Sequence, residues 1–458
     1  MAQITFNRFD LGIDLRKGAS VSDANRLRAM SNAYVTTGLA TKKRPGLKHV
    51  ATLPSGTVGL AGALGKLQVF STAAVSVDTS LFQDNVIAYS GKTLKDVPFC
   101  EVFNGYLYTV AEYTDGTVRH FYNNSVITDG NCPHTKVVAK LASKIFAASA
   151  AGDTVRFCAT GKPTDWSSEK DAGFLPTGLD ATGDRTACAL GIYRTQLVVI
   201  MRDGCQIWTV DADPSAMSLA DRVDNVGTSY PRSVAAVSGD LYFLSDFGFR
   251  SISLQAYTNN LIDVDVGSPI DSLVRDALAN RGTEEPKAFY FYGTGQYVCI
   301  FGSRCFVYSV SRTAKISAWS QYFFSVPIDA VAQLGQTLYL RSGDEVYKLD
   351  AESHTDAGQQ YEVLLDLPYM DFKKPGTLKH VWGMDIVCEG ECEVSLGFDP
   401  RDHEAYTPAL RVSGNTRPGG IIPVECCGTE IAPRIYVYND KEFQLDAITL
   451  YYDDLGAV

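Results

Sequence analysis

The sequence predicts an all-β protein: a β-propeller of six or seven blades, with an N-terminal arm and hairpin and a C-terminal β-sandwich-like domain. Three observations lead there. First, one short phrase recurs, a tight polar turn followed by a few residues of apolar strand. It reads Leu64-Gly65-Lys66-Leu67-Gln68-Val69, Phe103-Asn104-Gly105-Tyr106-Leu107-Tyr108 and Gly152-Asp153-Thr154-Val155-Arg156-Phe157. It returns at Tyr193-Arg194-Thr195-Gln196-Leu197-Val198, Ser238-Gly239-Asp240-Leu241-Tyr242-Phe243, Gly293-Thr294-Gly295-Gln296-Tyr297-Val298 and Leu334-Gly335-Gln336-Thr337-Leu338-Tyr339. Steps of about 39 to 56 residues between turn-and-strand units are the signature of blades, small sheets that cannot bury both faces alone. Second, 45% hydrophobic residues, 11% aromatics and 39 glycines describe a folded, turn-rich chain. Third, 458 residues exceed one ordinary compact core unless repeats share it or a second domain exists.

The elements follow in order. Residues 1–50 read as an arm and hairpin: an alternating strand over Gln3 to Phe9, then a short helix around Ser22 to Met30 with Ser22 as N-cap. A hairpin over Ser31 to Arg44 follows, its turn near Gly38, and Pro45-Gly46 redirects the chain. Residues 51–350 carry the blade phrase. The long step between its fifth and sixth copies is explained by an amphipathic helix at 268–278. There Ser268 and Pro269 open a stretch whose Ile270, Leu273, Val274, Ala277 and Leu278 share one face. Glu352 to Gln360 reads as a polar linker. Residues 361–458 alternate apolar and polar positions, as in Trp382 to Val387 and Arg434 to Tyr438, the pattern of a sandwich or sheet extension.

The formal charge of −11 is uneven. Residues 1–50 hold nine Lys or Arg against three Asp, a net of +6, and residues 351–458 hold eight against nineteen Asp or Glu, a net of −11. An acidic body argues against a sequence reader of nucleic acid. A basic end and an acidic end suggest head-to-tail contacts between copies, or a docking arm. The basic cluster Lys42, Lys43, Arg44 and Lys48 is therefore expected at an assembly contact rather than on phosphates. No apolar run approaches the ~18 residues that span a bilayer, and Met1 to Phe6 lacks the opening of a signal peptide. These features predict folding in the cytoplasm of the producing cell.

The census of reactive residues is thin. Eleven scattered cysteines suit reduced, buried thiols. Cys388, Cys392, Cys426 and Cys427 lack the spacing of a zinc knuckle, so no metal or other cofactor is expected. His49, His120, His134, His354, His380 and His403 mostly have polar or charged neighbours and read as surface or turn residues. Asp246-Phe247-Gly248 copies a kinase triplet without the loops that give it meaning, and reads as a turn. A propeller glycosidase or host-surface glycan binder is the alternative, since Ser245 to Arg250 loosely follows the repeated turn of sialidases. A kelch-type interaction scaffold is a third reading. Trp166 and Trp319, in similar settings, read as blade-packing aromatics rather than sugar platforms.

Asn32-Ala33-Tyr34-Val35-Thr36-Thr37-Gly38-Leu39 running into Lys43-Arg44-Pro45-Gly46 resembles the opening of tail nozzle proteins from short-tailed bacteriophages. That family is also called tail hub, tail tubular protein B-like or packaged-DNA-stabilisation proteins. Further similarity lies at Pro163 to Trp166, Leu190 to Tyr193 through Trp208, Gly227 to Ser233, Tyr242 to Ser245, Arg250 to Ile252 and Asp263 to Gly267. The resemblance spans about residues 5 to 450 and rests on turn-and-strand patterns rather than catalytic residues. It implies a non-enzymatic virion protein of the tail, assembled in the host cytoplasm as a homo-hexamer. Its partners would be the adaptor ring of the head–tail connector, tail fibre or tailspike and tip proteins, and genomic DNA passing without sequence-specific binding. The chain is shorter than the larger members, with fewer obvious insertions.

Overall fold

The computed structural model describes residues 2–18, 22–179, 183–252, 265–402, 404–416 and 420–457. His403 and the Asp263-Val264 end of the last resembling segment lie outside them. By internal contacts the chain forms two units: residues 49–290 with 328–348, and residues 1–48 with 291–327 and 349–458.

The first unit is the propeller, and the repeated phrase is its hairpin. Leu64 and Gly65 have φ of 53° and 77°, Asn104 and Gly105 48° and 81°, Ser238 and Gly239 50° and 83°. Two successive positive φ values are the signature of the type I′ turn, whose twist matches that of the strands it joins. The turns generate six small sheets. Blade 1 holds Val58–Ala63, Lys66–Ser71 and Phe82–Val86; blade 2 runs from Leu94–Phe103 to Ser125–Val126. Blade 3 runs from Val138–Leu141 to Gly173–Leu175, blade 4 from Ala189–Tyr193 to Ser218–Asp224, and blade 5 from Ala235–Val237 to Gly248–Ser251. Blade 6 comprises Ala330–Leu334, Thr337–Ser342 and Glu345–Asp350, completed at its edge by Gly46–Thr52. Within blade 1 the last pair, Lys66–Ser71 with Phe82–Val86, is parallel; elsewhere in these blades successive strands from Leu94 to Ser342 pair antiparallel.

Each blade buries its faces against the next, so the core is a series of interleaved layers. Phe70, Val97 and Phe121 join blades 1 and 2. Tyr108, Ile145 and Trp166 join 2 and 3; Phe157, Leu197 and Trp208 join 3 and 4; Ile207, Leu241 and Phe243 join 4 and 5. Leu67, Val69, Ala332 and Val346 then join blade 1 to blade 6, bringing the two ends of the series together. A stack whose first and last members touch is curved toward closure, and the strand from the N-terminal side of the chain finishing blade 6 fastens it. The helix expected at 268–278 is a 3-10 turn at Ser268–Ile270 leading into an α-helix, Asp271–Asn280. Ile270, Val274 and Ala277 are buried, and the helix packs beside the Gly248–Ser251 strand. Ser268 does not cap it; its hydroxyl donates to the Asp265 carbonyl at 3.0 Å.

The second unit is built from two sheets. One has the order Ala33–Val35, Thr41–Lys43, Gln444–Ala457, Thr377–Glu389, Ile422–Gly428, with Ala2–Phe6 also laid along Gln444–Ala457. The other runs Lys287–Phe291, Gln296–Phe301, Arg304–Ser311, Ile316–Phe323, Ala29–Ser31, Glu362–Asp366, Ala432–Tyr438, Glu391–Gly397, Leu410–Ser413. Burial alternates along Glu391–Gly397 and Ile422–Gly428, as expected of strands with one face in a core.

Three expectations change. The stretch around Ser22 to Met30 is not helical; Ala29–Ser31 is a strand between Ile316–Phe323 and Glu362–Asp366. The N-terminal segment is no free arm, because Phe6, Phe9, Ile13 and Met30 are buried in this unit. The sixth copy of the phrase also belongs here: residues 291–327 continue the sheet through Ser31 and Gln321. The hairpin forms where expected, with Thr36 donating to Ala40 and Leu39 in the left-handed region at φ 67°.

Candidate functional site

Of the four basic residues expected at an assembly contact, two are fully committed inside the second unit. Arg44 and Asp356 are both 0% exposed at the side chain. Arg44 donates from Nη1 to Asp356 Oδ1 at 2.8 Å and from Nη2 to Asp356 Oδ2 at 2.6 Å. Its Nε donates to Asn32 Oδ1 at 2.9 Å, and its remaining hydrogens reach the Pro45 and Phe323 carbonyls. The guanidinium lies 3.9 Å from the Tyr361 ring centroid and 4.4 Å from that of Phe324. A buried charge is tolerable only with such complete pairing. Asn32 is equally engaged: Nδ2 donates to the Glu362 carbonyl, while Oδ1 also accepts from Phe323 N. Gly46 follows because a Cβ there would overlap the Thr355 carbonyl oxygen.

Lys43 is 1% exposed, with Nζ donating to the Asn439 carbonyl at 2.6 Å. Burial, helped by the Arg44 charge, lowers its pKa to about 8. Lys42 is half-buried and paired with Glu442, and Lys48 is exposed, 3.7 Å from Asp350. Arg28 likewise meets Asp366 at 3.8 Å. Arg28, Lys42, Arg44 and Lys48 of the basic beginning thus pair with Asp366, Glu442, Asp356 and Asp350, so part of the charge split is met within one unit. Sequence reading missed Asp356 because it lies in a polar stretch that looks like a linker; its signal was chemical complementarity to Arg44, 312 residues away.

In the propeller, a second ionic cluster joins blades that are not neighbours. Arg232, just before blade 5, pairs with Asp96 of blade 2. Glu112 accepts from Lys95 at 3.0 Å and Lys136 at 3.1 Å. Lys287 donates to the Asp329 carbonyl at 2.6 Å and feels Arg232, Asp96 and Glu285. The Arg232–Asp96 pair thus links blade 2 to the segment before blade 5. Lys95 and Lys136 share the Glu112 carboxylate, and Glu285 lies within electrostatic reach of Lys95 and Lys287. Burial, with Arg232 beside it, lowers the Lys287 pKa. Burial pushes the Glu112 carboxyl up, but bonds from Lys95 and Lys136 outweigh it and hold it below the ordinary carboxylate range. The arrangement ties blades together and balances charge, leaving no lone acid or base poised for proton transfer in this cluster.

The remaining candidates resolve individually. His120 is not on the surface: it is fully buried, bonded to Tyr108 Oη at 2.7 Å and the Thr135 carbonyl at 2.8 Å, and burial lowers its pKa to about 4. Trp166 and Trp319 are buried; the Trp166 indole donates to the Pro163 carbonyl. Asp246 and Phe247 form the turn between Asp240–Ser245 and Gly248–Ser251. Cys426 is buried and its neighbour Cys427 exposed, so the alternation of the strand turns the two thiols to opposite faces. Among the described residues no three His, Cys, Asp or Glu side chains converge as a metal site, and no helix is long and apolar enough to cross a membrane.

No protein-family model matches the chain, and no curated protein does. Among solved structures it is similar to BamB from Moraxella catarrhalis, with TM-score 0.38 and 10% identity over 67% of this chain and 99% of that one. It is also similar to a crystal structure of the mitotic checkpoint complex, with TM-score 0.36 and 11% identity over 75% of this chain and 92% of that one. Likeness at this level bears on neither family nor function.

Proposed function

We propose that the chain is a structural, non-enzymatic subunit of the tail nozzle of a short-tailed bacteriophage, assembled as a hexamer that retains the genome and conducts it out of the particle. The observation that carries this reading is the convergence of Asn32, Arg44 and Gly46 on one buried node. These residues belong to the hairpin through which the chain resembles nozzle proteins, and each is there for a framework reason. A tube wall needs subunits that do not open under load, and a bidentate buried pair clamped between aromatic rings serves that purpose. The net charge of −11 suits a conduit, because every neutralised phosphate adds salt-dependent affinity and would retard DNA. The Arg232–Asp96 pair ties non-neighbouring blades of one subunit together, so on this reading the passage is enclosed between subunits rather than through one of them. Lys48, exposed, and Lys42, half-exposed, are the members of the basic cluster left to meet a neighbouring subunit or the adaptor ring. Antibody labelling of intact particles in the electron microscope tests the assignment. Label on the tail supports it, and a protein absent from particles excludes it.

A further inference from the structure

Beyond that role, the propeller contains a cleft of about 340 Å³ between blades 1 and 2. Its size is at the lower end of small-molecule sites, roughly 300–1,000 Å³, with room for one or two sugar rings. Five amides line it: Gln68, Gln83, Asn85, Asn123 and Asn124. Leu64, 55% exposed, and Tyr106, 51% exposed, form its apolar wall.

The floor is built in advance. Asn85, nine-tenths buried or more, donates to Gln68 Oε1 at 2.9 Å and to the Gln83 carbonyl at 3.2 Å. Gln68 Nε2 donates to the Ala63 carbonyl at 2.8 Å, and Asn124 Nδ2 reaches Asn85 Oδ1 at 3.3 Å. Asn123 and Asn124 occupy the left-handed region at φ 49° and 60°, a turn that carries both amides at the mouth. Tyr106 stands edge-on to Tyr122, ring centroids 5.9 Å apart, and Tyr122 is anchored on the Phe103 carbonyl. The polar residues are thus fixed on the floor and exposed at the rim, beside an aromatic face.

The chemistry selects the ligand class. No carboxylate lines the cleft, so it holds no negative charge to pair with a cation. The one cation, Lys66, has its ammonium on the Thr79 carbonyl at 2.8 Å. A planar amide presents a donor and an acceptor side by side, which matches paired hydroxyls. The exposed faces of Tyr106 and Leu64 suit the C–H face of a pyranose. We infer that this cleft binds a neutral saccharide. It binds without cleaving, because glycoside hydrolysis ordinarily needs a pair of carboxylates at the scissile bond.

The test is titration calorimetry of the purified full chain with maltotriose, cellotriose, mannotriose, galactobiose and chitotriose, each up to about 10 mM, ten times a millimolar dissociation constant. Saturable binding of at least one is expected. Tyr106→Ala and Asn123→Gly should each weaken it about tenfold, the loss of one good contact, with unchanged thermal midpoints. Tyr438→Ala, an exposed aromatic of the other unit, should leave it intact, and no shorter sugar should be released. Absence of binding to all five, equal binding by both cleft variants, or cleavage of the bound sugar would overturn the inference. The nozzle reading is untouched by any of these results, since it rests on particle association and assembly.

Discussion

Replacing Arg44 by Met would leave the Asp356 carboxylate buried and unpaired, at a cost of about 3–5 kcal/mol in unfolding free energy. Adding Asp356→Asn should recover part of that loss, since the stranded charge goes while one amide oxygen stays as acceptor for either Leu47 N or Ser325 N. Urea denaturation measures both; a loss below about 1 kcal/mol for Arg44→Met would mean the node is not structural. His120 gives a pH signature. Its folded pKa of about 4 lies below the ordinary 6.5, so between those values the unfolded chain binds the extra proton. The stability His120 supplies is present above pH 6.5 and is lost as pH falls toward 4. The loss between pH 7 and pH 5 is about 2 kcal/mol. His120→Gln should flatten the profile in that window by this amount relative to the parent chain, which separates it from His134 and His354. An unchanged profile would show that His120 takes up its proton alike in the folded and unfolded chain and is not held neutral by burial.

At the scale of elements, the turns set the predictions. Leu64 holds a left-handed φ without the tolerance of Gly or Asn, so Leu64→Asn should raise stability by about 1 kcal/mol, read as a higher denaturation midpoint. Gly62→Ala should lower it by about 1–3 kcal/mol, because the added Cβ would overlap the Gln333 carbonyl oxygen where blade 6 closes on blade 1. The hairpins were legible in the sequence because a type I′ turn demands residues that accept positive φ, and Asn104-Gly105 and Ser238-Gly239 announce them locally. The allocation of residues 291–327 was not legible. Their phrase matches the other copies, and long-range contacts such as the pairing of Ser31 with Gln321, 290 residues away, and the bonds of Asn32 and Arg44 to Phe323 place them in the second unit. The helix was readable from its apolar stripe, though not its cap. Of the cleft, the sequence displayed Asn123-Asn124 only as a turn; its floor depends on Asn85 crossing to Gln68 along a parallel strand pair.

At the scale of the whole molecule, part of the charge split that suggested head-to-tail attraction is paired inside one unit, at Arg44–Asp356, Lys42–Glu442 and Lys48–Asp350. On the nozzle reading, ring contacts would draw on the remaining surface, with Lys48 the most exposed member of the basic cluster. Lys48→Glu should leave the unfolding free energy within about 0.5 kcal/mol of the parent, as for surface changes generally, while weakening assembly of the proposed ring. The most direct test is the mass of the purified chain in solution across a range of concentrations. The nozzle account predicts a closed species of six chains, six times 49.8 kDa. A single species of 49.8 kDa at every concentration, with or without its neighbouring tail protein, would contradict it.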